Sequence, residues 1–229
     1  MKKRSVPIKG GVRGNVSRIV CGWYTPDYQI WTDRLTANLS RLGERHDFVR
    51  VDAIPGGWER QTMRKPSMLL AAMNAHPSDT VIFLDVDCEV MSSLAPLADV
   101  RGDMAVHFRC RFLRDGTPRL NARSGTIIVR PTDRARIFVE NWADLSAKAP
   151  RGSVDQRTLP AAIASTPGLT VESLDVAFCA VPSDGVADPV ILHDSASRGA
   201  SKIPSLMRTI FHTFNRSESR LGSSGTTRG

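Results

Sequence analysis

Two aspartates one residue apart, Asp85 and Asp87, directly follow the apolar run Thr80–Leu84. A continuous run of this length predicts a central β-strand that is covered on both faces. Its C-terminal end is the edge at which open α/β sheets bind ligands. Carboxylate oxygens are the ligands that Mg²⁺ and Mn²⁺ prefer, and such a cation neutralises the clustered charge of a nucleoside diphosphate. The pair therefore predicts a site for a metal-bound nucleotide.

Three other interpretations of this pair depend on what surrounds it. One is an ordinary solvated turn, which the apolar run and the nearby Glu89 disfavour. Another is a haloacid-dehalogenase-type phosphatase, but its motif lies in the first strand and carries Thr or Val at the place of Glu89. The third is a nucleotidyltransferase, which has a Gly-rich basic loop where this chain has Trp23-Tyr-Thr-Pro. Gly10, Gly11 and Gly14 precede the first strand and no P-loop is present, so dinucleotide and P-loop binding are unsupported.

The rest of the chain alternates between strand and helix patterns. Strands are predicted at 18–23, 48–51, 80–84, 104–108 and 190–192, and helices near 30–42, 66–73, 132–145 and within 155–164. A turn at Asp115-Gly116 makes the middle part antiparallel. This order predicts an α/β fold with a Rossmann-like nucleotide-binding half and a central mixed β-sheet that is flanked by helices.

Several segments together resemble the GT-A nucleotide-diphospho-sugar transferases, and Val81-Ile-Phe-Leu-Asp85-Val-Asp87 is similar to their DxD segment. The further matches cover residues 18–204 and are, in chain order, Tyr24-Thr25-Pro26-Asp27-Tyr28 (the nucleotide-binding loop), Lys65-Pro66 (the start of a helix), Ser124-Gly125-Thr126-Ile127-Ile128 (the Asn-Ser-Gly element), Asp155-Gln156 (the Asp-Gln pair of retaining family 8 enzymes), and His193 with Arg198 and Lys202-x-Pro204 (the C-terminal His and Lys-Pro segment). The resemblance implies a GT-A fold. It also implies metal-dependent transfer of a sugar from a nucleotide-diphosphate sugar, with UDP favoured, to a hydroxyl of a glycan or other acceptor.

The resemblance further implies a role for each matched residue. Asp87 and His193 would ligate Mn²⁺ or Mg²⁺, and Asp85 would be shared between the metal and the ribose. Asp155 and Gln156 would lie near the reacting face, and the anomeric configuration would be retained. The donor would also contact, in addition to these residues, Tyr24, Thr25, Lys65, Ser124 and Gly125, with Arg198 or Lys202 at the diphosphate.

One position departs from the family pattern. Arg123 stands where an Asn usually precedes Ser-Gly, so the hydrogen bond that this Asn would give to the donor sugar is missing, unless Asn121 substitutes for it. This departure motivates an alternative from another class, a nucleotide-sugar-binding protein or degenerate transferase that has kept the fold without turnover.

The segment around Asp155 and Gln156 has two interpretations. Ser153-x-x-Gln156 fits a helix capping box, with Asp155 favoured in the first turn. Pro160 would interrupt a helix that begins there, but it suits the first turn of a helix that begins near Thr158. We therefore expect Asp155 and Gln156 in a loop that faces the sugar.

The composition describes one globular domain with basic ends. The chain has 229 residues, 41% hydrophobic and 24% charged, with a net charge of +8. We expect a basic N-terminal extension at 1–17, a single domain at 18–204, and an amphipathic helix and disordered basic tail at 205–229. No run approaches the ~18–20 apolar residues of a membrane span, and no signal peptide follows the basic start. The four scattered cysteines indicate reduced thiols.

These features predict a cytoplasmic protein that does not bind nucleic acid. The amphipathic C-terminal segment adds an alternative, which is peripheral contact with the inner face of a membrane.

Overall fold

The computed structural model describes residues 17–112 and 114–193. Their strands are β1 (Arg18–Tyr24), β2 (His46–Arg50), β3 (Thr80–Leu84), β4 (Cys88–Val90), β5 (Met104–Phe112), β6 (Pro118–Val129), β7 (Val171–Ser173) and β8 (Ile191–His193). Their α-helices are α1 (Gln29–Arg41), α2 (Gly57–Thr62), α3 (Lys65–Ala75), α4 (Asp133–Lys148) and α5 (Asp155–Ala164). The predicted C-terminal helix and tail, nearly all of the N-terminal extension, and both Arg198 and Lys202 lie outside the described residues.

The central sheet is mixed, as the sequence predicts. Its six strands have the order β2-β1-β3-β6-β5-β7. The β1–β2, β1–β3 and β5–β7 pairs are parallel, whereas β6 runs antiparallel to both β3 and β5. β4 and β8 form a separate antiparallel pair. The parallel β2-β1-β3 part corresponds to the Rossmann-like half that the alternating strand and helix patterns predict.

The sheet is covered on both faces, which explains why β3 is a continuous apolar run with every residue buried. Val81 and Phe83 belong to the apolar cluster beneath α3, α4 and α5, whereas Ile82 and Leu84 belong to the cluster beneath α1. On the first face, α3 and α4 begin where the sequence predicts. Thr132 caps α4, because its hydroxyl accepts a hydrogen bond of 3.1 Å from the Ala135 backbone N–H.

α5 contradicts the prediction for the Asp155 segment. The helix begins at Asp155 and contains Pro160 in its interior, so Asp155 and Gln156 lie in the first turn and not in a loop. Pro160 removes one helical hydrogen bond, the bond to the Gln156 carbonyl. Contacts from α4 offset this loss, because the Trp142 indole N–H donates to the Thr158 hydroxyl at 2.9 Å, and that hydroxyl donates to the Asp155 carbonyl at 3.0 Å.

Two further segments differ from the sequence prediction. Residues 57–62 form the short helix α2, where the pattern indicates only a loop. The β5–β6 hairpin is also longer than predicted, since its strands continue to Phe112 and resume at Pro118 around the predicted Asp115-Gly116 turn. In the part of the chain that the structure describes, no helix has the length and apolar character needed to cross a bilayer.

Candidate metal centre at the sheet edge

The predicted metal ligands converge at the carboxyl edge of the parallel strands. Asp85 and Asp87 directly follow β3, and Asp87 leads into β4. In the β4–β8 pair, Cys88 lies opposite His193, so the last residue of β8 is brought beside the aspartates. Ligand atoms of Asp85, Asp87 and His193 all lie within 4.8 Å of one another. The three residues predicted as metal ligands therefore form one cluster.

The donor set suits a hard divalent cation. Two carboxylates and one imidazole match the ligands used for Mn²⁺ and, with more oxygen, Mg²⁺. Burial raises the pKa of Asp85 to about 7; the positive charge of Lys65 opposes this rise, and the negative charges of Asp87 and Asp155 add to it. The Asp85 side chain is 36% exposed, so solvent screens part of this repulsion. A divalent cation would relieve the rest.

Lys65, the first residue of α3, is buried at the back of this cluster. Its ammonium lies 2.6 Å from Asp85 Oδ1 and 3.0 Å from Asp155 Oδ2, and it donates to the Ser124 carbonyl at 3.0 Å. Burial opposes the charged form of Lys65, but the two carboxylates outweigh burial and raise its pKa above the ordinary value. The ammonium has three N–H groups for these three oxygens. Lys65 thus fixes Asp85 relative to α5 and β6.

The Ser124-Gly125-Thr126 segment of β6 contacts Lys65, Asp85 and His193. The Gly125 carbonyl accepts a hydrogen bond of 3.0 Å from the Asp85 backbone N–H. The Thr126 hydroxyl lies 2.9 Å from His193 Nε2, which orients the imidazole. A Cβ at Gly125 would come within 2.8 Å of His193 Cε1, so only glycine leaves room for the ring. The sequence pattern assigns no role to Thr126, because its contact depends on the β4–β8 pairing.

Arg123, the departure from the family pattern, contacts the 179–184 segment. Its guanidinium forms a bidentate ion pair with Asp184, at 2.5 and 2.7 Å, and donates to the Cys179 carbonyl at 2.7 Å. These hydrogen bonds from Arg123 lower the pKa of Asp184 to about 2. Arg123 therefore anchors the 179–184 segment that leads into β8 and His193.

The remaining predicted residues are divided between the site and its surroundings. Asp155 is buried against Lys65, whereas the neighbouring Gln156 is exposed. Tyr24 ends β1 at the same sheet edge and is half-buried, and the buried Thr25 hydroxyl donates to the Asp27 carboxylate. The structure thus brings Lys65, Asp155 and the 124–126 segment to the metal ligands, but it does not bring the Gln156 side chain to them.

The sequence matches no protein-family model and no curated protein. Solved structures do resemble the chain. One is a glycosyltransferase involved in glycosylation of the major capsid of PBCV-1, with a TM-score of 0.62 and 13% identity over 79% of this chain and 93% of that one. Another is the glycosyltransferase GlyE of Streptococcus pneumoniae, with a TM-score of 0.55 and 17% identity over 80% of this chain and 55% of that one.

A third similar structure is the galactosyltransferase LgtC in complex with donor and acceptor sugar analogues. Its TM-score is 0.51, with 12% identity over 77% of this chain and 86% of that one. At such low identities the likeness concerns the fold. The predicted mixed α/β architecture is confirmed by these matches and by the six-stranded sheet. The chain therefore has the GT-A fold of nucleotide-sugar glycosyltransferases.

Proposed function

We propose that this protein is a metal-dependent glycosyltransferase that transfers a sugar from a nucleotide-diphosphate sugar to an acceptor hydroxyl. The observation that carries this proposal is the cluster of Asp85, Asp87 and His193, whose ligand atoms lie within 4.8 Å at the ligand-binding edge of a GT-A fold. A donor with a uridine base and an acceptor hydroxyl on a glycan are the specific forms we propose. The motifs and the similar glycosyltransferase structures support them.

We assign each residue of the cluster a separate role in binding the donor. Asp87 and His193 would hold Mn²⁺ or Mg²⁺, and Asp85 would also reach the ribose. Such a cation stabilises the negative charge of a departing diphosphate. Thr126 keeps the imidazole oriented, and Lys65 keeps the Asp85 carboxylate in position through an ion pair of 2.6 Å. Tyr24, Thr25, Ser124 and Gly125 would line the donor site, and Arg198 or Lys202 would contact the diphosphate.

We propose Asp155 as the carboxylate nearest the reacting sugar, with retention of anomeric configuration. Asp155 is buried, and its Oδ2 lies 3.0 Å from the ammonium of Lys65, which also contacts Asp85. The chain of contacts from Asp155 through Lys65 to Asp85 links the proposed catalytic carboxylate to the metal ligands. Gln156 would assist only if its exposed side chain turns toward the donor. The protein would act in the cytoplasm, and its four unpaired cysteines are in keeping with that compartment.

Hydrolysis of the donor tests turnover. The purified protein is incubated with UDP-glucose, UDP-galactose or GDP-mannose, with Mn²⁺ or with chelator, and the sugar is followed by NMR. We expect slow release of the sugar from one donor with Mn²⁺ only, with the retained anomer formed first, and loss of release in Asp155→Asn. Release that persists in chelator, or that is unchanged in Asp85→Asn, would contradict the proposal.

A second candidate function is donor binding without turnover. Two observations favour it: the ammonium of Lys65 forms an ion pair with the Asp155 carboxylate, and Arg123, at the position of the family's Asn, forms an ion pair with Asp184. The same experiment separates the two functions. Metal-dependent nucleotide binding without release of sugar, also in the presence of mixed glycan acceptors, would indicate a binding protein.

A further inference from the structure

The β5–β6 hairpin extends beyond the central sheet on the side of the metal ligands. β3 ends with Leu84 opposite Thr126, and β7 pairs only with Met104–Val106 of β5. Residues 107–112 and 118–123 pair with each other, and the described strands provide no further neighbour for them. Because β6 is antiparallel to β3, its residues before 126 project past the end of β3, where Asp85 follows. We call residues 107–112 and 114–123 the outer hairpin.

One face of the outer hairpin is apolar. The cross-strand pairs on this face are Phe108 with Ala122, Cys110 with Leu120, and Phe112 with Pro118. At the base, Phe108 and Ala122 join the core cluster beneath α3, α4 and α5. Toward the turn the same face is uncovered: Cys110 is exposed, Leu120 is 59% exposed and Phe112 is 74% exposed. Phe112 is the most exposed large hydrophobic residue of the described chain.

The outer hairpin is also strongly basic. Residues 109–119 contain four arginines and a single acidic residue, Asp115. Arg114 is exposed in the turn, and the Arg109 side chain is 39% exposed. The acid nearest to Arg109 is Asp184, at 3.9 Å, but Asp184 is already paired with Arg123 at 2.5 Å. Among the described residues, the hairpin therefore combines exposed apolar side chains with two exposed arginines, Arg109 and Arg114.

We propose that the outer hairpin docks on an anionic lipid bilayer. Phe112 and Leu120 would enter the boundary between headgroups and acyl chains, and Arg109 and Arg114 would pair with lipid phosphates. An anionic bilayer interacts with both features of the hairpin, because the bilayer interior is apolar and its surface is negatively charged. A soluble anionic glycan would use the arginines but would leave Phe112 and Leu120 in water. A nucleic acid would stack a base on Phe112 but would leave Leu120 in water.

The docked orientation has a consequence for the metal centre. The outer hairpin and Asp85 lie at the same edge of the sheet, so docking would turn that edge toward the bilayer. The acceptor would then be a hydroxyl of a molecule that is held at the membrane surface. This consequence rests on the proposed function, whereas the docking itself requires no nucleotide and is tested without one.

Cys110 provides a probe of docking, because it is the exposed cysteine and Cys21, Cys88 and Cys179 are buried. The full chain is labelled at Cys110 with an environment-sensitive fluorophore and mixed with vesicles of phosphatidylcholine alone or of equal parts phosphatidylcholine and phosphatidylglycerol. We expect a blue shift with the anionic vesicles only. Co-sedimentation of the unlabelled protein should show the same lipid preference.

Variants identify the part of the chain that binds. Phe112→Ser with Leu120→Ser should weaken binding to the anionic vesicles by roughly tenfold or more, and Arg114→Glu should weaken it by a similar factor. Ile30→Ser, at a 62% exposed position on α1, and Lys148→Glu, at the exposed end of α4, are the matched controls and should bind as wild type does. None of these positions is in the core, and unchanged circular dichroism confirms folding.

Three outcomes would overturn the proposal. Vesicle binding that is equal in wild type and the Phe112→Ser, Leu120→Ser variant would assign it to another basic segment of the chain. A blue shift that grows with protein concentration in the absence of lipid would show that a second copy of the chain covers the patch. A shift with soluble dextran sulfate but none with vesicles would make the hairpin a site for anionic polysaccharide. Metal-dependent UDP binding is measured separately, so failure of docking and failure of the proposed function are distinguishable.

Discussion

At the scale of single residues, Lys65 connects three parts of the site. Its buried ammonium contacts the carboxylates of Asp85 and Asp155 and the carbonyl of Ser124. Lys65→Met would leave Asp155 as an uncompensated buried charge. We expect the free energy of unfolding to fall by about 3–5 kcal/mol, measured by urea denaturation. Lys148→Met, at an exposed position, is the control and should cost little.

A double variant separates the cost of an unpaired buried charge on Asp155 from the loss of the group that positions Asp85. Replacing both partners, Lys65→Met with Asp155→Leu, should recover part of the lost stability, because no buried charge is then left unpaired. Metal-dependent nucleotide binding should remain impaired in that double variant, since Asp85 has lost the group that fixes it. A Lys65→Met protein as stable as Lys148→Met would refute the buried ion-pair network.

Gly125 and His193 form a second pair that can be tested by mutation. Gly125→Ala places a Cβ 2.8 Å from His193 Cε1, so the imidazole must move. We expect the apparent affinity for Mn²⁺, measured calorimetrically in the presence of UDP, to fall roughly 10–100-fold, which is typical when the orientation of a ligand is lost. The melting temperature should fall as well.

The His193→Ala background provides the control for Gly125→Ala. Once the ring is absent there is room for the added methyl group, so Gly125→Ala should not lower the melting temperature further in that background. Equal destabilisation in both backgrounds would mean that the glycine is needed for the backbone of β6 and not for the imidazole.

The sequence predicts the types of the site residues better than their contacts. Asp85, Asp87 and His193 were assigned from residue type and motif, and the structure brings them together. The roles of Thr126 and Arg123 could not be predicted, because both depend on where β8 and the 179–184 segment return to the sheet. Such contacts join residues more than fifty positions apart, and local patterns carry no information about them.

At the scale of elements, the helix that carries Asp155 shows how tertiary contacts override a local signal. Pro160 favours a later helix start by its own geometry. The hydrogen bond from Trp142 to Thr158 and the burial of Leu159 against the core favour the earlier start at Asp155. The local sequence pattern includes the effect of Pro160, but it does not include the contact from the Trp142 indole of α4.

The ion pair between Arg123 and Asp184 anchors the segment between Val176 and Asp184, and the pH dependence of its contribution is predictable. The pKa of Asp184 is lowered to about 2 in the folded protein, below the value of about 3.9 expected for an unfolded chain. The ion pair therefore contributes stability that is present above about pH 4 and is lost as the pH falls toward 2. The shift corresponds to about 2–3 kcal/mol.

Urea denaturation of wild type and Asp184→Asn between pH 6 and pH 2 measures this contribution. The difference in unfolding free energy should be about 2–3 kcal/mol at pH 6 and should shrink steadily below about pH 4. Asp144→Asn, at an exposed position on α4, is the control and should show no such change in difference. A difference independent of pH would mean that the ion pair with Arg123 does not set the pKa of Asp184.

At the scale of the whole molecule, the order of strands and helices follows from hydrophobic patterns, whereas the order of strands in the sheet does not. Every residue of β3 is buried because helices cover both faces, and the continuous apolar run in the sequence indicates this burial. The placement of β6 between β3 and β5, and the separate β4–β8 pair, depend on non-local pairing. The cluster of Asp85, Asp87 and His193 lies where these two non-local arrangements meet, so the sequence predicts its residues but not its geometry.

The central claim is that the carboxyl edge of this sheet binds a metal-bound nucleotide, and calorimetric titration of UDP tests it most directly. UDP is titrated into wild type and into an Asp85→Asn, Asp87→Asn variant, each with Mn²⁺ and with chelator, and GDP is tried in parallel. We expect saturable binding to wild type with Mn²⁺, loss of that binding in chelator, and loss of it in the variant. Nucleotide binding that does not depend on the metal, or that persists in the double variant, would contradict the claim. So would the absence of nucleotide binding by the wild type.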